Sequence, residues 1–127
     1  MRGRDNMLGI SCKRRRHTLS LFIFYRRSDM GKLESKFQKD LTDRIKEEFP
    51  GCIVMKNDSS YIQGIPDWTI LHKNKWAALE TKKSEKAKAR PNQPYYVEKL
   101  NSMSYSRFVY PENEEEVMDE LHELFDN

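Results

Sequence analysis

Ile65-Pro66-Asp67-Trp68-Thr69-Ile70-Leu71-His72-Lys73-Asn74-Lys75-Trp76-Ala77-Ala78-Leu79-Glu80-Thr81-Lys82 is the stretch on which the fold turns. β-Branched and aromatic residues fill Pro66–His72 and Lys75–Lys82 between polar ends, and Lys73-Asn74 suits a two-residue hairpin turn. Such a turn pairs His72 with Lys75, so facing residue numbers sum to 147. Asp67 then faces Glu80 on one side of the sheet, with Cβ atoms roughly 4.5–5.5 Å apart. Two like charges repel at that distance, and folding alone gives little reason to keep them at the end of an apolar hairpin. A divalent cation turns the repulsion into attraction, because hard cations take several carboxylate oxygens. Glu80 and Lys82, two apart on one strand, point to the same side. Two carboxylates and an ammonium therefore converge at one edge. Phosphodiester hydrolysis uses that set: a metal to polarise phosphate and activate water, and a cation for the developing charge.

Outward from the hairpin the pattern stays regular. Leu33, Phe37, Leu41, Ile45 and Phe49 recur every four residues, an amphipathic helix that Pro50-Gly51 ends. Cys52–Met55 reads as a short apolar strand. After the charged loop Lys83–Arg90, Pro91 suits a helix start, and Gln93, Val97 and Leu100 share one face of that helix. Arg107–Tyr110 is a fourth strand. A last helix follows Pro111, with Glu112, Glu114, Glu115 and Glu116 near its N-terminus and Val117, Leu121, Leu124 and Phe125 on its buried side. Helix, three strands, helix, strand, helix predicts a compact α/β domain.

With 127 residues the chain has room for one core. Residues 1–29 hold eight Lys/Arg against two acids, and residues 30–127 hold fifteen against eighteen. A basic, disordered extension (1–29) is thus expected ahead of a single domain (30–127). Binding to nucleic acid must come from a local basic patch or from bound cations rather than from overall charge. Cys12 and Cys52 show no metal spacing and read as reduced thiols of a cytoplasmic protein. The scattered His17, His72 and His122 make no zinc pattern, and no apolar run approaches the roughly 20 residues that span a bilayer.

Ile65-Pro66-Asp67 followed by Glu80-Thr81-Lys82 resembles the PD-(D/E)XK nuclease signature. Gly64-Ile65-Pro66-Asp67-Trp68, Leu79-Glu80-Thr81-Lys82-Lys83 and then Gln93 near a helix start are similar to its VRR-NUC branch, whose fold Holliday-junction resolvases share. The resemblance spans residues 33–110; the Lys-rich connection 83–90 departs from the glycine-bearing loop often seen there. It implies a small restriction-endonuclease-like core and a metal-dependent endonuclease hydrolysing DNA, branched or structured DNA included. It implies Asp67 and Glu80 as ligands of Mg²⁺, with Mn²⁺ as a substitute. The Thr81 main-chain carbonyl would help, as would Glu34 on the first helix, directly or through water. Lys82 would orient or activate water or stabilise charge, and Gln93 would sit beside lysine and phosphate.

Lys83, Lys86, Lys88 and Arg90 follow the active strand, where flanking phosphates would pass. Tyr95 and Tyr96 offer rings for base stacking; Tyr96 is a candidate contact, although helix periodicity also sets it beside Val97 and Leu100. Tyr61 and Asn57-Asp58-Ser59-Ser60 would rim the cleft. A homodimer is expected, since a short chain that cuts two strands symmetrically spans them most simply by pairing. Two rival readings are a non-catalytic nucleic-acid-binding module on the same fold and an interaction protein with a coincidental charged edge.

Overall fold

The computed structural model describes residues 27–127. The basic extension expected over 1–29 lies outside them, apart from its last three residues, which begin a helix. The elements are α1 (Arg27–Glu48), β1 (Ile53–Lys56), β2 (Trp68–His72), β3 (Lys75–Thr81), α2 (Asn92–Met103), β4 (Ser106–Val109), a 3₁₀ turn (Pro111–Asn113) and α3 (Glu114–Phe125). Their order is the one that the sequence predicts. Boundaries move by one or two residues: β2 starts at Trp68 rather than Pro66, which leaves Asp67 at a bend just ahead of the strand.

One four-stranded sheet runs in the order β1-β2-β3-β4. β1, β2 and β3 are antiparallel, and β4 lies parallel to β3. A parallel neighbour needs a crossover connection, and α2 supplies it. The hairpin has the expected register, with His72 facing Lys75 and Trp68 facing Leu79. Lys73 takes φ +57°, a conformation that a two-residue hairpin turn demands of a central residue.

Alternation along the strands separates the two faces. Ile70, Ala77, Leu79 and Val109 point into one core with Leu41 and Ile45 of α1, Phe49 just after it, and Val117, Met118, Leu121 and Phe125 of α3. The four-residue stripe of α1 and the inner side of α3 therefore bury each other over one sheet face. Removing about 25 cal/mol of free energy per Å² of apolar surface from water drives that packing. At the rim, Arg44 Nη1 donates to Glu114 at 2.8 Å and Glu115 at 2.9 Å, which ties α1 to the start of α3. The acids of α3 thus act in packing. On the opposite sheet face α2 lies over β3 and β4.

One glycine sets how the loop ahead of Asp67 meets α2. Gly64 has φ +95°, and a Cβ there would stand 2.4 Å from Asn92 Cβ and 2.9 Å from its carbonyl carbon. Gly51 has φ +91° with open space around it. Gly51→Ala is therefore expected to cost the backbone term alone, about 1–2 kcal/mol. Gly64→Ala should add an overpacking term of roughly 1–3 kcal/mol. Urea midpoints of the two variants measure the difference; equal losses would mean that the Asn92 contact relaxes freely.

Candidate active site

The ends of β2 and β3 bring Asp67, Glu80, Thr81 and Lys82 together, and two helices supply the amides that hold them. Glu80 is 3% exposed and points toward α2. Its Oε2 accepts from Gln93 Nε2 at 3.0 Å, while Oε1 is buried without a hydrogen-bond partner. Lys82 Nζ donates to Gln93 Oε1 at 2.6 Å, and the Arg90 main-chain N–H donates to the same oxygen at 2.9 Å. Gln93 thereby spans Glu80 and Lys82. Its orientation is fixed, since the carbonyl end meets two donors and the amide end meets a carboxylate.

Asp67 is held from the other strand. Its Oδ2 accepts from the Thr81 main-chain N–H at 3.1 Å and from Thr81 Oγ1 at 2.7 Å. Thr81 Oγ1 in turn accepts from Gln38 Nε2 at 2.7 Å. Because the hydroxyl proton goes to the carboxylate, the Thr81 oxygen is free to accept from α1. Asp67 Oδ1 faces Lys56 Nζ at 3.9 Å, and that ammonium also lies 4.5 Å from the Trp68 ring centre. Burial first, and then the neighbouring Asp67 carboxylate, push the Glu80 carboxyl up to about 8; Lys82 and Lys56 oppose that rise. The repulsion expected across the hairpin is thus present, and the deep position of Glu80 amplifies it.

The other sequence-predicted residues fall as follows. Lys83, Lys86, Lys88 and Arg90 are exposed on the 83–91 connection, beside a cleft of about 210 Å³ that Lys82, Phe108 and Tyr110 help to line. Tyr96 is half-buried and Tyr95 is 57% exposed, with their rings edge to face at 5.0 Å. Among the described residues no three His, Cys, Asp or Glu side chains lie together as a ready metal-holding group. Gln38, one turn beyond Glu34 on the same helix face, reaches the site through Thr81.

Gln38 and Lys56 escape the sequence reading. The signal for Gln38 was its i, i+4 relation to Glu34. Lys56 required the β1–β2 register, in which it faces Trp68, and the eleven residues of chain between those strands, 57–67, leave that register open. Among the described residues no helix is long and apolar enough to cross a membrane. No protein-family model, curated protein or solved structure matches the chain.

Proposed function

We propose that this chain is a metal-dependent endonuclease of the PD-(D/E)XK type, hydrolysing phosphodiester bonds in DNA that includes branched or structured forms. The observation that carries the reading is Glu80: a buried carboxylate with one unpartnered oxygen, set against a second carboxylate and two residues from a lysine. An unpaired buried oxygen costs free energy that a bound cation recovers. Glu80 Oε1 has no hydrogen-bond partner and Asp67 Oδ1 faces only the Lys56 ammonium at 3.9 Å; two such oxygens fit Mg²⁺, which takes one or two carboxylates and keeps waters or phosphate oxygens for the rest. Once bound, the ion supplies Lewis-acid polarisation of the phosphate and a water of lowered pKa.

The chain's own groups do the remaining work. Gln93 holds the Lys82 ammonium beside Glu80, where it offers charge to the phosphate oxygens or orients the attacking water. Thr81, braced by Gln38, keeps Asp67 Oδ2 occupied and so turns Oδ1 outward. Lys83, Lys86, Lys88 and Arg90 line the exit of the active strand, a path suited to flanking phosphates. The reading extends to an intracellular enzyme that acts as a homodimer on symmetric strands.

Labelled junction, flap, duplex and single-stranded DNA, each incubated with Mg²⁺, Mn²⁺ or EDTA, test the proposal. Cleavage of at least one substrate is expected with either cation and none with EDTA, and Asp67→Asn should abolish it. Mg²⁺ at 100 times its dissociation constant should stabilise the fold by about 2.7 kcal/mol. Stabilisation without cleavage of any substrate would favour the non-catalytic binding module. Absence of both cleavage and stabilisation would overturn the metal site itself.

A further inference from the structure

Beside the carboxylate pair, on the α2 side of the sheet, lies a groove of about 480 Å³ that none of the chemistry above uses. Thr69 and Ala78, which face each other in the hairpin, form its floor. Ile62 and Ile65 of the loop wall one side, Trp76 of β3 and Leu100 of α2 contribute to the other walls, and the exposed Tyr61 lies at the edge. Tyr61 is 86% exposed and Ile62 38%, two large apolar side chains held in water next to an open apolar trough. The polar side chains at its edge are already engaged. Asn57 Nδ2 donates to Pro66 O and Thr69 Oγ1, and Asp58 Oδ1 accepts from Ser60. What the groove offers a ligand is a mainly apolar trough with an aromatic lip, with the Asp58 carboxylate at its edge.

Its position says which ligand. Asp67 stands at the bend just ahead of β2, and Glu80 comes one residue after the last β2–β3 pair, Trp68 with Leu79. Glu80 and Ala78 project from the same side of β3, because side chains two apart share a face. Two residues of strand advance about 6.6 Å, close to the length of one nucleotide in an extended strand. A phosphate at the carboxylate pair thus sets an adjoining base over the Thr69–Ala78 floor. A base inside a duplex has both faces stacked and its edge paired, so only an unstacked base can enter. From this juxtaposition, and resting on the nuclease reading above, we infer that the groove binds one unpaired base of the DNA strand in the site, the base next to the cut phosphate. The substrate is then DNA that is single-stranded or locally opened beside the cleavage point. Tyr61 stacks on that base, a contact that accepts any base because each has a π face.

The test reads binding, so it does not depend on cleavage. A fluorescein-labelled single-stranded thymidine oligonucleotide, and the same strand annealed to its complement as a blunt duplex, are titrated with the full-length protein in EDTA. Tyr61→Ala is expected to weaken binding of the single strand by roughly 5- to 100-fold and to leave duplex binding unchanged. Tyr61→Phe keeps the ring and should bind the single strand as the native protein does. A 2-aminopurine placed at the centre of the single strand should change fluorescence on binding to the native protein and not to Tyr61→Ala. Equal losses on single strand and duplex, or no loss on either, would overturn the base-binding groove. A protein that passes these tests yet never cuts would retain the groove and lose the nuclease reading instead.

Discussion

Lys82→Ala is expected to fold normally and bind Mg²⁺, yet cut saturating DNA roughly 10²–10⁴-fold more slowly, the usual loss for a proton-transfer or charge-stabilising group. The fold should survive because Lys82 is only half-buried and makes one side-chain hydrogen bond, to Gln93. Gln93 keeps its bonds to Glu80 and to the Arg90 main chain after that loss, so the carboxylates stay in place. One secondary effect follows from the same contacts. Lys82 opposes the rise of the Glu80 carboxyl, so its removal makes Glu80 harder to ionise. Mg²⁺ binding by Lys82→Ala should therefore need a higher pH or more metal. Single-turnover rates over a Mg²⁺ series separate the two effects: saturating metal restores the ionisation defect and leaves the chemical one. A saturated rate within a few-fold of the native protein would remove Lys82 from the chemistry.

The second large effect concerns stability without metal. The Glu80 carboxyl is raised from 4.5 to about 8, by burial first and then by Asp67. Between those values the folded chain holds a proton that the unfolded chain has released. Stability from this group is thus fully present below about 4.5 and is lost as pH rises toward 8. The expected loss is on the order of a few kcal/mol, readable as a falling urea midpoint in EDTA. His122, raised by Asp126 and then by Glu48, has the same sign: it stabilises when protonated and stops doing so as pH rises. The Glu80→Gln variant isolates the site. Its amide mimics the protonated acid, keeps an oxygen for Gln93 Nε2, and turns a donor toward Asp67 in place of the unpartnered Oε1. Glu80→Gln should be more stable than the native protein near pH 8 and show a shallower pH slope, with the His122 part intact. Saturating Mg²⁺ should flatten the native slope, since a bound cation favours the ionised pair. A slope identical in both proteins would place the pH dependence elsewhere.

Much of this chain is readable from short-range rules. The four-residue period from Phe37 to Phe49 fixes which side of α1 is buried, because an α-helix repeats every 3.6 residues. Lys73-Asn74 determines the register of the central hairpin, because a two-residue turn leaves no freedom in pairing. Alternation then puts Glu80 and Lys82 on one side of their strand, and the bend at Asp67 carries its carboxylate to Thr81 beside them. Each of these inferences needs only backbone geometry over fewer than twenty residues of chain. The residues that hold the trio in place are of another kind. Gln38 meets Thr81 across 43 positions, and Gln93 reaches both Glu80 and Lys82 from a helix on the opposite sheet face from α1. Lys56 comes beside Asp67 only through the β1–β2 register, and Gly64 presses on Asn92 only once α2 has docked. Glu34 shows the limit clearly. Periodicity puts Glu34 and Gln38 on one face of α1, but which turn meets Thr81 depends on how far the helix slides along the sheet, and Gln38 makes that contact. The hairpin and its charges were settled locally by the sequence itself. The brace of amides around them, the burial that raises Glu80 and the groove beside it exist only after the core has packed, because docking of distant helices depends on the whole buried surface and on no single stretch of residues.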